Sequence, residues 1–255
     1  MMTHQDRIID SYAMGWHSSK VLMPVEASQM LTYRCITNRR TVKAIREFRC
    51  LINSGYRRSS ALNLVSNKHN LSERERHLLQ RAVFSRREVA ERVKRKITSW
   101  RKKLEELSLF VDFYNVLITL ETALRGGEIV LCDDTFYRDL SLIGGKRYTP
   151  SSETEAILRE MRDILDERFR KVTYFLDSKV SKSGEMRALL SRLGMRGKLI
   201  NNVDHELMRL GTRKTVIGSS DRSIIERVQM TVDIPALVIS SEVIPHKVEV
   251  LVLPY

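Results

Sequence analysis

Short apolar runs that end in an aspartate recur along the second half of this chain, and that recurrence constrains the fold more than any other feature. The first is Leu109-Phe110-Val111-Asp112, followed by Asn115 and an apolar helical pattern over residues 116–124. Residues 128–132 lead into Asp133 and Asp134, residues 172–176 into Asp177, residues 198–203 into Asp204, and residues 215–218 into Ser219-Ser220-Asp221. Further runs at 236–239 and 248–253 read as strands, and helices are expected over 152–169, 184–193 and 222–228. Strands alternating with amphipathic helices build an α/β domain on a parallel sheet. All strand ends of such a sheet point the same way, so the acids that follow these five runs are expected to gather at one edge. Ligands of open α/β sheets bind at that edge.

The first half has a different character. Its patterns are helical: 6–14, a segment starting at Pro24 or Ser28 and running to about Cys35, 41–53 with Gly55 after it, and one capped by Ser59 or Ser60. Ser72 and Glu75 stand three apart, as in a capping box. From Arg86 to Leu107 a single helix is expected, with Val93, Ile97, Trp100, Leu104 and Leu107 as its apolar stripe. The net charge of +13 lies entirely here: residues 1–108 carry 23 Lys and Arg against 10 Asp and Glu, and residues 109–255 carry 21 of each. Such segregation points to a polyanion, nucleic acid before membrane. The residues expected to touch it are Arg86, Arg87, Arg92, Lys94, Arg95, Lys96, Arg101, Lys102 and Lys103, by phosphate contact. The chain thus divides into a basic all-α domain at 1–107 and an α/β domain at 108–255. Residues 55–83 also suit a helix-turn-helix.

Three cysteines without a Cys-x-x-Cys pair fit a reducing cytoplasm and argue against a disulfide framework or a zinc knuckle. No run is long enough to span a bilayer. Clustered carboxylates repel one another, and a cation relieves that repulsion. Oxygen ligands of this kind select Mg²⁺ or Mn²⁺, which activate water and stabilise charge on a phosphodiester. Any one of these aspartates could instead be a helix N-cap.

Val111-Asp112-Phe113-Tyr114-Asn115-Val116-Leu117 resembles the Asp-Gly-Tyr-Asn opening of PIN-like nucleases, notably their NYN branch, with Phe113 where that pattern has glycine. Leu176-Asp177, Val203-Asp204-His205-Glu206-Leu207 and Ser219-Ser220-Asp221 resemble that fold's later acidic motifs in the same order, whereas Asp133-Asp134 has no counterpart there. The whole chain also resembles a largely archaeal family with a helical N-terminal domain of unknown function. Gly55-Tyr56, Ala61-Leu62, Leu64-Val65 and Leu71-Ser72-Glu73-Arg74-Glu75-Arg76 carry that likeness. The PIN-like resemblance implies a metal-dependent endoribonuclease using Mg²⁺ or Mn²⁺. Asp112, Asp177, Asp204 and Asp221 would be its catalytic metal ligands, with Asp134 as a further ligand. Asn115, Asp133, Ser220 and Lys182 would support them, Lys182 as counter-charge to a phosphate at the helix following Ser183. The expected partner is nucleic acid, RNA ahead of DNA, with no membrane and with room for a homodimer. The alternative is a catalytically inactive PIN-like RNA- or DNA-binding protein, which Phe113 motivates. A phosphatase using Asp112 or Asp133 as nucleophile lacks the second acid two residues on, where Tyr114 and Thr135 stand.

Overall fold

The computed structural model describes residues 31–97, 104–141, 148–212, 214–241 and 248–254. Its strands in chain order are β1 (Leu31–Cys35), β2 (Ser108–Asp112), β3 (Ile129–Leu131), β4 (Tyr137–Asp139), β5 (Lys171–Asp177), β6 (Gly197–Ile200), β7 (Thr215–Gly218), β8 (Thr231–Val232) and β9 (Val248–Val252). The helices are α1 (Arg39–Asn53), α2 (Arg58–Lys68), α3 (Glu73–Ala82), α4 (Arg86–Arg95), α5 (Phe113–Leu124), α6 (Thr154–Asp166), α7 (Ser183–Arg192), α8 (Val203–Leu210), α9 (Arg222–Ile225) and α10 (Ile234–Ile239).

Five strands form a wholly parallel sheet in the order β6-β5-β2-β7-β8. Leu109, Val111, Tyr174, Leu176 and Val216 join one apolar cluster with residues of α5, α6, α7 and α10. Phe110, Phe175 and Ile217 pack on the other face against Val203, Leu207 and Ile224 of α8 and α9. Burial on both faces explains why these strands read as unbroken apolar runs rather than as alternating ones. From β2 the chain goes to β5 and β6 on one side and returns to β7 and β8 on the other, so the crossovers diverge between β2 and β7. That is the switch point at which α/β sheets open a crevice.

A second sheet has the order β1-β9-β3-β4, parallel except for the β3–β4 hairpin. Helices α1 to α4 cover it. Ile45, Phe48, Val65 and Leu79 share one cluster with Val130, Cys132, Leu251 and Leu253. The core of the N-terminal helices is therefore completed by strands from beyond residue 107. The α3 capping box is present, with Ser72 N donating to Glu75 Oε2 at 2.9 Å and Glu75 N to Ser72 Oγ at 3.3 Å.

Four expectations are corrected. The first half is not all-α: Leu31–Cys35 is a strand, because the exposed edge of β9 offers its backbone a parallel partner over five residues. Residues 236–239 lie in helix α10 rather than a strand. Asp233 Oδ1 accepts from Ala236 N at 3.1 Å and Pro235 follows at the helix start, a combination that favours a helix N-terminus. The long basic helix stops at Arg95, where Ile97 N donates to Thr231 O at 2.8 Å and the chain bridges to β8 instead. The strand expected over 198–203 ends at Ile200, and Asp204 sits in the first turn of α8. The helix expected at 6–14 lies outside the described residues. Among the described residues, no helix is long and apolar enough to cross a membrane.

Buried charge joins the two sheets. Arg92 is fully buried, and its guanidinium donates to Asp134 Oδ2 at 2.9 Å and to Glu226 Oε1 at 2.7 Å while stacking on Phe84 at 4.0 Å. Arg138 grips the same Asp134 bidentately, at 2.7 Å to each oxygen. Beside this group, Lys96 Nζ donates to Thr135 O at 2.6 Å and to Asp233 Oδ2 at 3.1 Å. Two guanidiniums hold the Asp134 carboxyl below the usual carboxylate range in spite of its burial. Removing one member strands an unpaired charge, which costs more than the intact pair contributes. Asp134→Ala is therefore expected to lower the unfolding free energy by about 3–5 kcal/mol in urea titrations. Glu249→Ala, which breaks an exposed pair with Arg34, should cost less than about 1 kcal/mol. Equal losses would contradict this account.

Candidate active site

Asp112 closes β2 at the switch point. Its neighbour β7 ends at Gly218, paired in register with Val111, so Ser219 lies opposite Asp112. A Cβ at 218 would come 2.3 Å from Ile234 Cδ1, so glycine lets the Ile234 side chain pack directly over the strand end. Ser219 Oγ donates to Asp112 Oδ2 at 2.8 Å. Asn115, in the first turn of α5, accepts from both Ser220 N and Ser220 Oγ at 2.9 Å through its Oδ1. The Ser220 carbonyl in turn accepts from Arg138 Nε at 2.8 Å, which ties this loop to the buried ion network.

Three further acids stand around this point. Asp221 caps α9, with Oδ1 accepting from Ser223 N at 2.7 Å and Ile224 N at 3.4 Å. Asp177 ends β5 and turns the following loop, with Oδ1 accepting from Lys179 N at 2.8 Å. That loop is fastened to α5, since the Tyr114 hydroxyl bonds Ser183 Oγ at 2.8 Å and Ser183 Oγ donates to the Asp177 carbonyl at 2.7 Å. Asp204 is exposed and has no hydrogen bond or ion pair among the described residues.

The electrostatics tie these acids together. Burial pushes the Asp112 carboxyl up to about 7; the Ser219 hydroxyl opposes that shift, and the charges of Asp221 and Asp204 add to it. Partial desolvation of its carboxyl also raises Asp204, exposed as the residue is, with Asp221 and Asp177 pushing in the same direction. Repulsion among these carboxylates is the reverse of what a purely structural set of caps needs, since a cap is stabilised by being charged. In kind the oxygen donors suit a hard divalent cation. As they stand, no three acidic, histidine or cysteine side chains among the described residues converge closely enough to enclose one. Mg²⁺ does not demand that, because it commonly keeps several waters and takes only one or two carboxylates directly. The donor set fits such an ion held partly through water.

Other expected site residues are placed elsewhere. Asp134 is not available as a ligand, because both of its oxygens are occupied by Arg138 and Arg92 in the interior. Asp133 is bound by Arg49, at 2.8 and 3.1 Å, and by Phe84 N at 2.9 Å. Its own amide donates to Ala82 O at 2.9 Å, so this hairpin tip is a joint between the helices and the second sheet. Arg92 and Lys96 are buried and paired with acids, which removes both from any surface that touches phosphate. Arg86, Arg87 and Lys94 are exposed, Arg95 is half-buried beside Glu91, and Arg101, Lys102 and Lys103 lie outside the described residues. Lys182 is exposed at the start of α7 in a left-handed conformation, φ 61°, with no side-chain cap bond. Phe113 is fully buried, its ring set edge-on to Tyr114 and Tyr174, so it faces the core rather than the sheet edge.

Sequence reading missed two contributors. Ser219 directly orients Asp112, and Arg138 holds the loop that carries Ser220 and Asp221. The run of two serines before Asp221 was a usable signal for the first. Nothing in the spacing marks Arg138.

The raised Asp112 group makes stability pH-dependent. Below its ordinary value of 3.8 the carboxyl is protonated in both folded and unfolded chains, and its favourable contribution is complete. Between there and about 7 the unfolded chain ionises it while the folded chain keeps the proton, so stability is lost as pH rises. Asp112→Asn is expected to remove that part of the fall in melting curves recorded with EDTA from pH 4 to 8. An unchanged slope would contradict the shift.

Comparison with known proteins gives two family matches. The profile described as "Domain of unknown function (DUF5616)" matches residues 101–237, and that described as "Protein of unknown function (DUF434)" matches residues 40–96. An uncharacterized protein of Methanocaldococcus jannaschii, MJ0935, is 35% identical over 205 residues, covering 76% of this chain and 94% of its own. No solved structure matches.

Proposed function

The chain belongs to the DUF5616 family, and we propose that it is a metal-dependent nuclease, an endoribonuclease that cleaves phosphodiester bonds with Mg²⁺ or Mn²⁺ at the β2–β7 edge. The observation that carries this reading is Asp112, a desolvated carboxylate raised to about 7 by burial and by neighbouring carboxylates, pinned by Ser219 at the switch point of a parallel sheet. The PIN-like fold assignment rests on the motif resemblance together with the central position of β2 in the sheet order.

The bound ion would supply an activated water and offset charge building on the phosphate. Asp112, Asp177, Asp204 and Asp221 would hold it. Ser219 keeps the Asp112 carboxylate from turning, and Asn115 fixes the Ser219-Ser220-Asp221 loop through two bonds to Ser220. Lys182, exposed beyond Asp177, offers a positive charge to a phosphate approaching the edge. Exposed basic side chains of the N-terminal helices hold the nucleic acid, RNA ahead of DNA. The rival reading, an inactive nucleic-acid-binding protein, drew on Phe113. That ring is buried in the core, edge-on to Tyr114 and Tyr174.

Purified protein is expected to cleave single-stranded RNA with Mn²⁺ or Mg²⁺ and not with EDTA. Asp112→Asn and Asp221→Asn should each reduce the rate by about 100-fold or more, the scale of losing one preorganised electrostatic group. Asparagine still caps α9, so the second variant keeps its fold. Cleavage that persists in both variants or in EDTA would contradict the assignment.

A further inference from the structure

A concavity lined by arginines lies apart from the carboxylates, between α1 and the start of α4. It is a cleft of about 840 Å³ whose lining includes Arg46, Arg49, Asn53, Arg86 and Arg87. On α1, positions 46, 49 and 53 step by three and four residues, which places them on one helix face. The second wall begins at Arg86, whose amide donates to Asn53 Oδ1 at 2.8 Å, so the two walls are fixed to each other. Arg49 is itself fixed, through Asp133 and the Pro254 carbonyl at 2.9 Å. Arg86 and Arg87 are exposed, and neither guanidinium forms an ion pair with an acid among the described residues. Within this wall Arg49 is paired with Asp133.

On its other side the cleft borders a region of mixed charge. Arg87 lines both this cleft and a smaller hollow that contains Arg95 together with Glu88, Glu91 and Glu226. Glu226 lies 3.9 Å from Arg222, the residue after Asp221, and 2.7 Å from Arg92 of α4. Six residues of helical rise separate Arg92 from Arg86, roughly 9 Å. The positive lining of the cleft therefore ends at Arg87, and acids of α4 and Glu226 lie between it and Arg222.

We infer that this cleft is a phosphate-binding subsite for the backbone of the same nucleic-acid strand whose scissile bond lies at the β2–β7 edge, several nucleotides away. This rests on the nuclease reading for the second part only; the cleft as a phosphate site stands on its own geometry. Guanidinium forks match phosphate oxygens bidentately. The lining lacks the buried aromatic anchors on which a protein partner would depend.

The test is fluorescence anisotropy with a labelled 20-nucleotide single-stranded RNA, using the full chain carrying Asp112→Asn so that the strand stays whole. Adding Arg86→Ala and Arg87→Ala should weaken binding at least tenfold. It should also reduce the slope of log K against log[salt] by about 1.4, two phosphate contacts at ~0.7 each. Arg86→Lys with Arg87→Lys should restore the salt slope, since the charge is kept, but only part of the affinity, since the bidentate fork is lost. Lys171→Ala, at the opposite end of β5 from Asp177, should leave it unchanged. Undiminished affinity in the double variant, an equal loss in Lys171→Ala, or poly-glutamate competing as well as RNA would overturn the subsite. Binding that behaves as expected while the wild-type chain shows no metal-dependent cleavage would overturn the nuclease reading and leave the cleft standing.

Discussion

The rest of the molecule depends on Asp134 being held between Arg92 and Arg138 in the interior. Arg92 comes from a helix of the basic first half, Asp134 from the turn of the β3–β4 hairpin, and Arg138 from the strand that follows. Arg138 also donates to the Ser220 carbonyl. One buried carboxylate thereby joins the helices to the second sheet and stiffens the loop that presents Asp221. Such a group is expensive to desolvate, and it is tolerated because both of its oxygens are occupied and both cations stack on Phe84. An apolar substitute could hold the layers together but could not reach the loop carbonyl.

At the sheet edge the electrostatic logic runs the other way. Interior acids have cations, whereas Asp112, Asp177, Asp204 and Asp221 have no ion pair among the described residues. Hydrogen bonds from Ser219, Lys179 N and Ser223 N orient three of them without neutralising them. The same chain thus pairs Asp134 and Asp233 with cations in its core and leaves the acids at the switch point without them. A site that must receive a cation needs that contrast, and a set of helix caps does not.

Much of this was legible from the residues. The runs at 109–112, 172–176 and 215–218 became adjacent parallel strands because burial on both faces leaves a sequence signature that a half-exposed strand lacks. Asp112, Asp177 and Asp221 could be placed near one edge from the residues because a parallel sheet aligns strand ends, whereas Asp204 sits in the first turn of α8. The second sheet was not legible: β1 is held by β9, more than two hundred residues away, and no local pattern records such a partner. Residues 236–239 were apolar enough for a strand, and the tertiary setting of Asp233, shared by Lys96, Tyr137 N and the helix start, decided for a helix. The misreading of Arg92, Lys96 and Asp134 has one cause. A charge run looks solvated in one dimension, and only packing reveals that its members neutralise each other indoors.

The central claim is that the strand-end carboxylates share a divalent cation. Crystals soaked in Mn²⁺ and measured at the manganese absorption edge test it most directly. The account predicts an anomalous peak at the β2–β7 edge, at about 2.1 Å from an Asp112 oxygen, with the remaining acids reached directly or through water. An edge without anomalous density at saturating Mn²⁺ would contradict it.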